Sequence, residues 1–156
     1  MGMNLLSRGA YSDALSHFHA AVDADPSNYM SYYKRATVYM ALSRSRPALA
    51  DIDKILKLKP DFLKARQMRG GLLLKMGRLD EAHIDLENVV RHEASNEEAN
   101  RLYSMIDQLK EHLEDIQDHL NWGSYEQAIE LLTAILEVQS ALEFVLRLGN
   151  QKILWA

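Results

Sequence analysis

Small and large apolar positions recur along this chain at a spacing of 34 residues. Gly9, Ser43 and Gly77 fall on one another at that spacing, and so do Ala14, Ala48 and Ala82. The larger apolar positions follow in the same frame: Phe18, Ile52 and Leu86; Ala21, Ile55 and Val89; Val22, Leu56 and Val90. Pro26 and Pro60 close two of the units, and Ala94 holds the third place. Inside each unit the apolar steps are threes and fours, the spacing of one helix face. One amphipathic helix pair cannot bury its stripe alone, so pairs of this kind stack and share a core.

Punctuation residues set the predicted elements. In the first unit a second helix is expected over about Ser12 to Asp25, leaving Met3 to Arg8 as a remnant of a first helix that stops at Gly9. The second unit is expected over Tyr29–Leu42 and Arg46–Leu58, the third over Asp61–Met76 and Asp80–His92. Pro47 falls in a first turn, where its missing N–H is harmless, and Pro26 and Pro60 end second helices. After His92 the period breaks. The next second-helix pattern is Gly123-x-Tyr125-x-x-Ala128-x-x-x-Leu132-x-x-Ile135, and the stretch between, Asn96 to Asn121, has neither proline nor glycine. Leu102, Ile106, Leu109, Leu113, Ile116 and Leu120 give it one seam, so a single long helix is predicted, capped by Ser95 or Asn96.

A helix-turn-helix unit of this length and order resembles the tetratricopeptide repeat. The expected fold is all-α, a superhelical solenoid of antiparallel helix pairs with one long helix between the third and fourth repeats. Its boundaries are a partial repeat 1–28, repeats 29–60 and 61–94, the long helix with a fourth repeat 95–138, and an irregular or helical tail 139–156.

Composition narrows the classes. The 156 residues hold no cysteine, which excludes disulfides and zinc thiolate sites. No apolar run approaches the ~20 residues of a membrane span, and the first residues do not read as a secretory leader. The net charge of −4 hides a segregation: twelve Lys or Arg against three Asp between Lys34 and Arg78, and seven acids against Arg101 and Lys110 between Glu97 and Asp118. Neither feature calls for nucleic acid, because Tyr32 and Tyr39 stand at core positions and leave only Tyr29 and Tyr33 free. His17 and His19 lie on opposite sides of a helix. His112, Asp115, Asp118 and His119 have helical spacing, which on acidic exposed helices reads as solvated side chains. No phosphate loop, nucleophile motif or acid–base pair is present in the sequence, so no enzyme, cofactor or metal is expected. Two non-enzymatic readings follow: a binding module, or an assembly adaptor joined through Leu102–Leu120 or through the tail.

The motifs sharpen the first reading. Asp13-Ala14-Leu15-Ser16-x-Phe18-His19-Ala20-Ala21-Val22, Asn28-Tyr29-x-x-Tyr32-Tyr33-x-Arg35-Ala36-Thr37-Val38 and Arg69-Gly70-x-Leu72-Leu73-Leu74-Lys75-x-Gly77-x-Leu79-Asp80-Glu81-Ala82 resemble the repeat region of the endoplasmic-reticulum J-domain co-chaperones, DnaJ subfamily C, also described as inhibitors of the interferon-induced protein kinase. So does Ile135-Leu136-Glu137-Val138, and the similarity covers about Leu5 to Val138. The resemblance implies holding of unfolded or misfolded proteins, a lumenal location, a part in the unfolded-protein response, and contact with a protein kinase. It implies no Hsp70 stimulation by this stretch, since no histidine opens a His-Pro-Asp triplet.

By analogy with the repeat, the first helices line the inner face. The candidate client-binding residues are Met30, Tyr33, Thr37, Met40, Gln67, Leu74, Leu113 and Leu120, an adaptable apolar surface. The basic clamp that related repeats use for a terminal carboxylate is missing, because its places hold Met3, Thr37, Gln67 and Gly71.

Overall fold

The computed structural model describes residues 2–137 and 140, with side chains from residue 9 onward. Its elements are α1 (Gly2–Ala24), α2 (Tyr29–Ala41), α3 (Ser45–Leu58), α4 (Leu63–Lys75), α5 (Leu79–His92) and α6 (Glu97–Asn121), followed by α7 over residues 125–137. No strand occurs among the described residues. Residues 141–156, most of the predicted tail, lie outside them. The chain divides into two compact units, the first running to Arg69 and the second beginning at Gly70.

In the first unit α2 and α3 form a hairpin, with α1 packed on α2. Ala36, Ala48, Ile52 and Ile55 are fully buried, so the small residues mark the close helix approach and the large ones fill the space beside it. Across that approach Arg35 donates through Nε and Nη2 to the two carboxylate oxygens of Asp51, at 2.8 and 2.7 Å. A two-pronged pair of this geometry satisfies both groups where water is largely absent. Arg69 on α4 reaches Asp53 on α3 at 3.0 Å.

In the second unit α5 packs on α6. Ala82, Leu86 and Val89 on α5 and Ala99, Leu102 and Ile106 on α6 are all buried in its core. Gly70 is small for a reason: a Cβ added there would stand 2.6 Å from Cγ of Leu86. At the rim, Lys110 bonds Asp80 at 2.7 Å, which holds the exposed Asp80 carboxyl below its ordinary range.

Three helices end in one way. Ser43, Gly77 and Gly123 all take the left-handed backbone, at φ of 57°, 75° and 74°. After α2, Arg44 N–H bonds the Tyr39 carbonyl and Ser43 N–H the Met40 carbonyl; Arg78, Gly77, Ser124 and Gly123 repeat the pattern after α4 and α6. These paired bonds satisfy carbonyls that a helix end leaves open.

The first element corrects an expectation. Instead of a remnant stopping at Gly9 and a second helix from Ser12, α1 runs unbroken from Gly2 to Ala24. A six-residue helix is too short to stand alone. Continuing it gives each residue a backbone bond, against about 1 kcal/mol for one interior glycine.

Candidate protein-binding faces

The candidate face of the first unit begins with a change in capping. Asn28 caps α2, its side chain accepting from Met30 N–H, and Asn96 caps α6 by accepting from Ala99 N–H. The residue at the same register before α4 is Phe62. Its carbonyl accepts the first helical bond, from Arg66 N–H at 3.2 Å, but its side chain has no oxygen to cap with. The ring goes elsewhere. It meets Tyr29 edge-on at 5.4 Å and Tyr33 at 5.4 Å between centroids, and Lys59 Nζ lies 5.4 Å from the Tyr29 ring centre. An aromatic has replaced a stabilising cap, and it builds a three-ring surface on the Met30 side of α2.

Around those rings the predicted residues separate. Met30 is 38% exposed, while Tyr33 and Met40 are half-buried. Burial pushes the Tyr33 phenol above its ordinary 10.0. Thr37 is buried, and its hydroxyl donates back to the Tyr33 carbonyl at 2.9 Å. Gln67, on α4, is buried as well. Neither Thr37 nor Gln67 offers side-chain surface to a ligand. Phe62 was not among the residues read from sequence. The signal that could have found it was the missing asparagine at the cap register.

The second unit exposes apolar surface of its own. Leu74 is only 4% exposed and belongs to the core with Leu72 and Leu73. Leu113 and Leu120, two turns apart on one face of α6, are 46% and 45% exposed. Beyond them Trp122, Tyr125, Ile129, Leu132 and Leu136 are exposed, and the last four make one stripe along α7. The sequence pattern placed Leu132 at a core register; in α7 it faces solvent. Ala128 and Ile116, by contrast, are buried. The histidines gather no ligand set: no group of three potential metal ligands converges among the described residues.

The tetratricopeptide-repeat family model matches residues 1–61 and 33–99. The chain belongs to that family. It is 44% identical to human DnaJ homolog subfamily C member 3 over 141 residues, covering 88% of this chain and 28% of the relative. It is 33% identical to the Cryptococcus neoformans tetratricopeptide repeat and J domain-containing co-chaperone DNJ1 over 134 residues, 86% of this chain and 26% of the relative. The chain therefore spans little more than a quarter of the length of these curated relatives. Among solved structures, the P58(IPK) TPR domain superposes with a TM-score of 0.77 at 42% identity, over 96% of this chain and 43% of that one. The first TPR of Spaghetti (RPAP3), bound to the HSP90 peptide SRMEEVD, gives 0.62 at 30% identity over 69% of this chain and 86% of that one. The fold expected from the 34-residue period, and the resemblance to the co-chaperone repeats, are both met by these findings.

Proposed function

We propose that this chain is a non-enzymatic, chaperone-related binding module that holds apolar segments of unfolded or misfolded proteins on the α2 face of its first unit. Met30, Tyr33 and Met40 supply adaptable surface, and Phe62 and Tyr29 supply rigid rings. One observation carries the reading: a helix cap has been given up for an aromatic that joins two tyrosines beside an exposed methionine. Sites that break a local stability rule in this way tend to be functional. The repeat boundaries 29–60 and 61–94 put the ring cluster where one repeat hands over to the next. The co-chaperone name of one relative supports the chaperone-related class; client holding, a lumenal location, a part in the unfolded-protein response and contact with a protein kinase are proposed from the motif resemblance.

The client is apolar rather than a charged chaperone tail. RPAP3 binds an acidic HSP90 peptide, yet here Thr37, Gln67 and Gly71 stand at the clamp places and all three are buried. Contacts of this kind bury modest apolar area at about 25 cal/mol per Å² and lose part of it to ordering a flexible partner, so micromolar-range holding is expected. The test is suppression of aggregation of a denatured reporter protein, at low and high salt, by the wild type and by Met30→Ser with Tyr33→Ser. The wild type should act at both salts and the variant should be weak. Equal activity in the variant would remove the α2 face, and loss at high salt in the wild type would transfer the role to the basic surface.

An assembly role is the second reading, favoured by the exposed stripe Tyr125, Ile129, Leu132 and Leu136. Of the two forms expected for it, the Leu102–Leu120 seam is corrected, since Leu102, Ile106 and Ile116 are buried within this chain and only Leu113 and Leu120 are exposed; self-association through the tail falls outside the described residues.

A further inference from the structure

The outward register of the second helices carries a charge code. Arg46, Lys54 and Lys57 on α3 are all exposed and fall within an arc of about 80° on one side of the helix, over about 16 Å of its length. The same register on α7 holds Glu126, Glu130 and Glu137, also exposed. On α1 it contains only Asp23. On α5 it contains Asp80 and Arg91, one of each sign, and both are engaged, by Lys110 at 2.7 Å and by Glu87 at 2.6 Å. The six charges on α3 and α7 make no ion pair or hydrogen bond among the described residues. Two helices of one chain thus present unpaired stripes of opposite sign.

Read in reverse, the two registers agree to within one residue, about 1.5 Å of helix length. Laid antiparallel, Arg46 falls opposite Glu137, Lys54 opposite Glu130 and Lys57 opposite Glu126. The remaining place holds Ala50 on α3 and Ala134 on α7, small residues that let two helix axes approach. We propose that the α3 stripe of one copy docks on the α7 stripe of another, so that the chain associates head to tail with itself. Charge complementarity selects the occupant. A segment that fits these cations, spaced eight and three, must carry acids spaced about seven and four with a small residue between the first two, and α7 read in reverse does: Glu137, Ala134, Glu130 and Glu126.

The physics sets the behaviour. One helix face is far smaller than the ~800 Å² per partner of a stable interface, so association is weak, reversible and concentration-dependent. Exposed charges are screened over about 8–10 Å at physiological salt, so it weakens as salt rises. The two surfaces differ, and a contact between unlike surfaces need not close at a pair. Average mass should therefore climb past that of a dimer.

The experiment is sedimentation equilibrium on the full chain over a wide concentration range, at low and high salt. Two variants are compared: Lys54→Glu with Lys57→Glu, and Glu126→Lys with Glu130→Lys. All four positions are exposed, and circular dichroism confirms that helix content is kept. The wild type should associate at low salt and be monomeric at high salt. Each variant alone should be monomeric at both, and an equimolar mixture of the two should associate again at low salt. A wild type that stays monomeric at the highest concentration overturns the proposal. So does association that survives either reversal, which would indicate the apolar stripe of α7, and so does a mixture that fails to regain it.

Discussion

The rings of Tyr33 and Phe62 lie 5.4 Å apart, and the second of these residues occupies a helix-cap position. Phe62→Asn should restore the cap used at Asn28 and Asn96, worth about 1 kcal/mol. It removes ring contacts worth about 0.5–1.5 kcal/mol. The two effects offset, so the melting temperature should stay within about 4 °C of wild type while client holding falls. A variant that holds clients as well as wild type would show that the ring is packing and nothing more.

Ser43 takes a left-handed backbone at φ 57° where the equivalent turns use Gly77 and Gly123. Only glycine adopts that region without steric cost. Ser43→Gly should therefore stabilise the chain by about 0.5–1 kcal/mol, and Gly77→Ala should destabilise it by a similar amount. Chemical denaturation of both variants checks the pair. A Ser43→Gly variant less stable than wild type would mean that the serine side chain serves the turn.

The Arg35–Asp51 pair predicts a non-additive double substitution. Side-chain exposure is 15% for Arg35 and 6% for Asp51, so Arg35→Met leaves a largely dry carboxylate and should cost about 3 kcal/mol. Arg35→Met with Asp51→Leu removes both charges and should recover most of that loss. Denaturation midpoints of the two single variants and the double variant give the coupling. Simple addition of the single losses would place the pair outside the core of the hairpin.

Much of this was legible in the sequence, for a physical reason. Periodicity encodes what a helix buries against its neighbours, so the bounds of α2, α3, α5 and α6 lie within two residues of those read from punctuation. Asn96 as the cap of α6 was legible too, because its chemistry is local. Gly9 was misread since a left-handed stop pays only where a second helix folds back, and that depends on what packs there rather than on glycine. Leu132 sits at a core register, yet whether such a residue is covered depends on the next element, which its own helix cannot encode. Thr37, Gln67 and Leu74 match inner-face positions of the repeat by register; their burial comes from side-chain packing that register does not specify. Phe62 is hidden from periodicity because it lies before the first turn of α4, off any helix face; its only local signal is the missing cap.

The central claim is that unfolded segments rest on the rings and methionine of the first unit. Its most direct test is site-specific photo-crosslinking to a permanently unfolded reporter, with the reactive group placed in turn at Met30, Tyr33, Phe62, Leu113, Trp122 and Ile129. Strong crosslinks at the first three positions, kept at high salt and reduced by excess unlabelled reporter, are the predicted result. Crosslinks concentrated at Leu113, Trp122 and Ile129, with none above background at Met30 and Phe62, would contradict it.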